Sequence, residues 1–240
     1  MQLQEIEKPT PIDNIKSTIR AIPLLGNFLV RIHNAISQNK FTHSGNYWEE
    51  RYQAGGNSGA GSYGRLAEFK ADVINTFIAE NKITSVVELG CGDGAQLKRL
   101  NIEKYTGIDI SKTIVDQANT LYKTDKNKTF QELSSFINSD KTFETAMSLD
   151  VIYHLVEDNV FENHMKLLFS RATKFVIIYA SNKDEMTSDP HVRHRKFTDW
   201  ISENQPNWQL IEKKENPYPF SWKDPRNTSF ADFYLFKNCG

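Results

Sequence analysis

Between residues 85 and 180 the chain alternates two hydrophobic patterns, and that alternation limits the fold more than any other feature. Apolar runs at Ser85 to Leu89, Tyr105 to Ile110, Thr145 to Val151 and Lys174 to Ala180 predict strands. Helical spacing falls between them at Ala95 to Leu100, Lys112 to Tyr122 and Asp158 to Ser170. A thinner run at Lys128 to Gln131 predicts one more short strand, and a helix at Arg65 to Glu80 leads into the first. Strands that alternate with helices pair in parallel under covered faces. After a helix at Thr198 to Glu203 come two β-like runs, Trp208 to Lys213 and Ser229 to Phe236, with no helical pattern between them. They are expected to pair antiparallel at the sheet edge. The expectation is an α/β, doubly wound, mostly parallel seven-stranded sheet with a C-terminal antiparallel strand pair.

Upstream, Ile19, Ile22, Leu25, Phe28, Leu29, Ile32 and Ile36 recur at spacings of three and four, with Pro23 and Gly26 interrupting the pattern. This face suits packing against the rest of the chain or against a twin subunit, and a homodimer through the extension is one expectation; a lid is another. Gly55 to Gly64 holds five glycines in ten residues and must be a loop. The aromatic and charged flank NYWEERY and the following Arg65 suggest that it folds over a ligand, against the plainer reading of a linker. The division expected is an N-terminal extension, 1–64, and a ligand-binding domain, 65–240.

Bulk properties narrow the partners. With a formal net charge of −1, the 240-residue chain advertises no nucleic-acid duplex or anionic membrane. No apolar run approaches the ~20 residues that span a bilayer, so stable membrane insertion is not expected. The two cysteines, Cys91 and Cys239, suit neither a disulfide framework nor a metal site, which fits a reducing cytoplasm. The expected partner is a small molecule, and no metal is expected.

The strand Val86-Val87-Glu88-Leu89 runs straight into Gly90-Cys91-Gly92-Asp93-Gly94. Glycines there allow a tight turn and a close ligand approach, and a following helix would offer free N–H groups. Gly90, Gly92 and Ala95 also satisfy the dinucleotide spacing, which keeps an NAD-binding oxidoreductase as an alternative. Glu88 and Asp93 argue the other way, since carboxylates repel a pyrophosphate and favour a ligand with cationic groups. Asp109, at the end of the second strand, is placed to accept two ribose hydroxyls.

On these residues the chain resembles the class I S-adenosylmethionine-dependent methyltransferases, whose first motif has the form V-x-E/D-x-G-x-G-x-G. The resemblance covers roughly residues 65 to 237 and implies the Rossmann-like version of the fold, with S-adenosyl-L-methionine as cofactor. It implies that Glu88, Gly90, Cys91, Gly92, Asp93 and Gly94 surround the methionine moiety, that Asp109 binds the ribose and that Ile110 packs on adenine. Leu149 to Leu155 looks like the fourth-strand motif beside the transferable methyl group, which brings Asp150 and Tyr153 to the cofactor. The flanking NYWEERY and glycine-rich segments resemble bacterial methyltransferases of surface-sugar and natural-product pathways. A hydroxyl of a sugar, nucleotide-sugar or secondary metabolite is thus the expected acceptor, with N-methylation a close variant and a non-catalytic binding module a further alternative.

His154, just past that strand, is the first candidate for the acceptor's proton, with Asp150 orienting it or touching the cofactor amine; the competing reading is a histidine that only packs there. His191 and His194 are reserve candidates. Tyr63, Arg65, Tyr153, Asn182, Arg193 and Arg195 are the expected acceptor contacts: Tyr63 and Arg65 from the loop that folds over the ligand, Tyr153 from the fourth-strand motif, and the other three because loops after parallel strands face the ligand crevice. Asn216-Pro217-Tyr218 resembles part of the motif of enzymes that methylate nucleobase amino groups, but it lies beyond the sixth strand, and base methylation is disfavoured.

Overall fold

The computed structural model describes Phe41 and residues 43–240. The apolar pattern between residues 19 and 36 lies outside the described residues. Two helices precede the sheet, α1 at Ser44–Gln53 and α2 at Gly64–Asn81. α2 buries Leu66, Ala67, Lys70, Ala71, Val73, Ile74, Phe77 and Ile78 along one side and stops where Lys82 turns left-handed at φ 52°. The strands are β1 Ser85–Leu89, β2 Lys104–Asp109, β3 Lys128–Glu132, β4 Phe143–Leu149 and β5 Ala172–Ala180. Helices α3 Lys112–Leu121, α4 Leu133–Phe136 and α5 Asp158–Ser170 connect them. Ser111 caps α3 by accepting the Ile114 amide, the hydrogen bond that a free helix N-terminus needs.

A hairpin of β6 Glu185–Met186 and β7 Arg193–His194 follows, then α6 Phe197–Asn204, β8 Trp208–Lys214 and β9 Asp232–Asn238. The large sheet runs β3-β2-β1-β4-β5-β9-β8. Its first five strands are parallel, and β9 enters antiparallel between β5 and the edge strand β8. The order reverses between β1 and β4, and such a switch point opens a crevice at the carboxyl ends of the strands. From Ala146 to Leu149 and from Phe175 to Ala180 every residue of β4 and β5 is buried, as a strand covered on both faces requires.

Two local expectations give way. The helix expected at Ala95 to Leu100 is a turn ending in one short 3₁₀ segment, Leu97–Arg99. Asp93 Oδ1 accepts the Ala95 amide in a local turn, and the Arg99 and Leu100 amides close three-residue turns onto Gln96 O and Leu97 O, the 3₁₀ pattern. The last strand begins at Asp232, not Ser229, because the Ser229 amide is committed to Tyr218 O and its carbonyl to Asn216.

Candidate active site

Where β1 and β2 end, a cavity of ≈ 790 Å³ opens under α1. The chain leaves β1 through Gly90 (φ 85°) and Gly92 (φ 55°), a region glycine enters freely. A Cβ on Gly92 would stand 2.2 Å from Ser58 Oγ, so the position is closed by a neighbour as well as by its dihedral. The turn is pinned to β2: Gly90 and Cys91 amides donate to Ile108 O at 2.7 and 3.1 Å, and the Gly92 amide donates to Asp109 Oδ2 at 2.9 Å. Asp109 Oδ1 accepts the Ser111 amide, yet burial still raises this carboxyl against its amide partners. Glu88, 3% exposed, accepts the Tyr105 hydroxyl at 2.6 Å. Burial is the main cause that pushes Glu88 up to about 7, against the Tyr105 bond and the nearby Lys70 charge.

Lys70 is a cavity-lining residue that the sequence reading missed, as are Gln96 and Arg51. It is 1% exposed on the apolar side of α2, lines the cavity, and places Nζ 2.6 Å from Asp150 Oδ2. Asp150 sits at φ 61° and accepts the Tyr153 hydroxyl on its other oxygen at 2.8 Å. Lys70 therefore matches its charge and Tyr153 its second oxygen. Among the described residues no hydrogen bond joins Asp150 to His154, on which its charge acts only from a distance. The signal was available: Lys70 falls among Leu66, Ala67, Ile74 and Phe77 at helical spacing, where a lysine is out of place unless paired.

The roof comes from the N-terminal segment. Ser44 meets both Glu157 oxygens, at 3.0 Å from its amide and 2.5 Å from its hydroxyl, while Glu49 accepts the Thr113 hydroxyl at 2.6 Å. α1 thus straps the carboxyl ends of β2 and β4, with Trp48 and Tyr52 turned to the cavity. The glycine-rich loop closes the remaining side through Asp93. Ser58 exchanges two bonds with it, Asp93 N to Ser58 Oγ at 2.8 Å and Ser58 N to Asp93 Oδ2 at 2.9 Å, and the Tyr63 hydroxyl adds a third at 2.7 Å. Asp93 and Tyr63 of this clasp, and Gly94 beside it, line neither cavity, unlike Cys91, whose thiol is buried and pushed up by burial.

Beyond Asp150 a smaller cavity of ≈ 180 Å³ is lined by Tyr47, Trp48, Arg51, Tyr153, His154 and His191, with Ser58 to Gly61 along one edge. His154 borders both cavities. Its Nδ1 lies 3.1 Å from the His191 carbonyl, which only accepts, so in the neutral ring Nδ1 carries the proton and Nε2 keeps its lone pair. Burial lowers this imidazole to about 4, with His191 and Arg51 adding to the effect and the carbonyl opposing it. Trp48 meets the ring edge-on, and His191 stacks parallel to it and to Tyr47.

The other expected acceptor contacts are turned elsewhere. Arg193 and Arg195 both bond Val156 O and Asp158 Oδ1, fastening the β6–β7 hairpin to the start of α5. His194 is 4% exposed, with Nδ1 2.5 Å from Ser181 Oγ, and Asn182 bonds Thr198 at the start of α6. Arg65 reaches Asn227 O and Asp224 and lies over Tyr218. None of the five lines either cavity. The hairpin folds the 181–196 run back on the domain, a turn that the rule about loops after parallel strands does not contain.

The donors around the larger cavity fit S-adenosylmethionine. Asp109 offers its remaining lone pairs to a diol, Lys70 a buried cation to a carboxylate, and Ile110 with Leu133 an apolar slot to a base. Gln96 Oε1 is buried at the same wall without a hydrogen-bond partner, an acceptor left for an ammonium group.

Fold and cavity together define a class I S-adenosylmethionine-dependent methyltransferase. The sequence model of the mRNA (guanine-N(7))-methyltransferase domain matches residues 67–187, just over half of the chain, and the chain belongs to that family. Among solved structures it is similar to the N-methyltransferase NodS from Bradyrhizobium japonicum WM9 in complex with S-adenosyl-l-homocysteine. That match has a TM-score of 0.57 at 14% identity over 73% of this chain and 88% of that one. The magnesium protoporphyrin IX methyltransferase ChlM from Synechocystis PCC 6803, with S-adenosylhomocysteine bound, matches at TM-score 0.54 and 14% identity over 72% and 84%. No curated protein sequence matches the chain. The chain is a methyltransferase with S-adenosylmethionine as its cofactor, and among the described residues no helix is long and apolar enough to cross a membrane.

Proposed function

We propose that this enzyme methylates a neutral nitrogen of a small polar acceptor held in the ≈ 180 Å³ cavity. The cofactor supplies an electrophilic methyl group on a sulfonium. The chain supplies alignment and shelter: Lys70, Asp109 and Gln96 hold one side, α1 and the glycine-rich loop exclude water, and His154 Nε2 accepts a hydrogen bond from the acceptor. In this reading the described part of the 1–64 extension is a lid.

The observation that carries the choice of nitrogen is the weakness of the available bases. His154 is lowered to about 4, and the Asp150 carboxylate is already matched by Lys70 and Tyr153. A hydroxyl acceptor, the first expectation from sequence, gains from a base whose pKa lies near the operating pH. A neutral amine or ring nitrogen attacks with its own lone pair and needs none. The guanine N(7) in the matching family's description and the N-methyltransferase activity in the name of NodS support the same direction.

The test offers the protein methyl-¹³C-labelled cofactor with a panel of N-heterocycles, amines and hydroxyl analogues of each. The carbon shift of the transferred methyl identifies the atom that received it. N-methyl products are expected; labelled methyl on oxygen alone would overturn the proposal.

A further inference from the structure

Arg51 stands in the wall of the smaller cavity with its charge unanswered. It projects from the last turn of α1 and packs its guanidinium carbon 5.6 Å over Trp48. Its Nε donates to Asn57 O at 2.8 Å, which fixes the head group against the glycine-rich loop. A guanidinium has five N–H donors. Among the described residues Nε–H is the one that meets a protein acceptor, and no carboxylate comes within ion-pair distance of the group. The acids nearby are committed or aimed elsewhere. Asp150 is matched by Lys70 and Tyr153, Glu49 by Thr113 and Gln53, and Asp189 acts on His191 without pairing with Arg51. Other arginines among the described residues behave differently: Arg65, Arg99, Arg193 and Arg195 each meet a carboxylate.

We propose that Arg51 anchors an oxyanionic group of the methyl acceptor, so that the substrate is an anionic molecule whose nucleophilic nitrogen and whose phosphate or carboxylate occupy the same small cavity. The inference rests on that cavity being the acceptor site. A cofactor carboxylate does not account for Arg51, because Lys70 serves the larger cavity and Arg51 lines only the smaller one. The preset fork of the guanidinium, held by Asn57 O and Trp48, suits two parallel bonds to an oxyanion. Such an anchor fixes distance and angle, which is what a site without a strong base has to offer the reaction.

Binding and turnover are read separately. In the first arm, the protein saturated with S-adenosylhomocysteine is titrated with inorganic phosphate and with acetate while the Arg51 Nε–H resonance, assigned by its loss in Arg51→Lys, is followed by NMR. At least one anion is expected to shift it, and Arg51→Gln is expected to weaken that anion's binding by about tenfold to a hundredfold as read on the His191 ring. No response of Arg51 to either anion would overturn the proposal. In the second arm, methyl transfer is compared within two pairs, guanosine against guanosine 5′-monophosphate and histamine against histidine, which separates phosphate from carboxylate. The anionic member of one pair is expected to lead in kcat/KM by about tenfold or more, with the lead lost in Arg51→Gln and retained in part in Arg51→Lys. A lead that survives Arg51→Gln would overturn the proposal. Anion binding at Arg51 together with methyl found on oxygen would instead remove the nitrogen reading and leave the anchor standing.

Discussion

Lys70 Nζ and Asp150 Oδ2 lie 2.6 Å apart, with the lysine side chain 1% exposed and the aspartate 16%. This pair couples the helix before the sheet to the residue after β4 and holds Asp150 in the left-handed region. Removing one partner of a buried ion pair strands the other, at a cost on the order of 3 kcal/mol. Lys70→Met is expected to lose about that much in urea unfolding, and Lys70→Met with Asp150→Asn to lose clearly less than the sum of the single variants. Additive losses would mean that the two side chains do not depend on each other.

Glu88 gives the cofactor-free protein a pH signature. Burial raises its carboxyl from the ordinary 4.5 to about 7, so the folded state binds this proton more tightly than the unfolded chain. The stabilising contribution is therefore fully present below about pH 4.5 and is lost as the pH rises through about 7. In Glu88→Gln the amide oxygen still accepts the Tyr105 hydroxyl but no longer titrates. Its Tm relative to wild type is expected to rise between about pH 5 and pH 8. A difference that stays constant over that window would contradict a protonated Glu88.

The framework of this site was legible in the sequence because it depends on local pattern. Residues 85–89 and 158–170 form the expected strand and helix, and Asp109 ends β2 within reach of the glycine turn. What was not legible depends on residues distant in sequence. Ser58 and Asp93 are 35 residues apart, and His154 and the His191 carbonyl 37, so no spacing rule connects them. The basic run His191 to Arg195 read as a ligand-facing loop, yet only His191 reaches a cavity, because Asp158 and the Val156 carbonyl draw both arginines to α5. Lys70 lay between these cases, a visible exception to an apolar helix face whose partner sequence could not supply.

In the proposed reading the clasp between Ser58, Tyr63 and Asp93 gates passage into the larger cavity. Tyr63→Phe with Ser58→Ala removes the 2.7 Å and 2.8 Å bonds while leaving the loop's glycines in place. Stopped-flow binding of S-adenosylhomocysteine should show dissociation about tenfold faster, the size expected for a lost hydrogen bond to a charged group. An unchanged dissociation rate would mean that the loop does not gate the cofactor.

In the proposed reaction His154 accepts a hydrogen bond without acting as a strong base. Replacing it by alanine is expected to lower kcat by about tenfold, as for one lost hydrogen bond, rather than the ~10²–10⁴ of a lost general base. Cofactor affinity measured by calorimetry should change little. A fall of three orders of magnitude would restore the base role.

The pH dependence of kcat at saturating cofactor tests the account most directly, because Glu88 then affects KM and the imidazole and the acceptor proton remain visible. With His154 lowered to about 4 and a nitrogen that attacks with its own lone pair, methyl transfer is expected to be flat from about pH 6 to about pH 8 and to fall only toward pH 4. For this measurement the acceptor is one whose nitrogen stays unprotonated across the range. A decline centred near 6.5, or a rate that keeps climbing tenfold per unit toward pH 9, would show that a proton must be removed before transfer and would contradict the account.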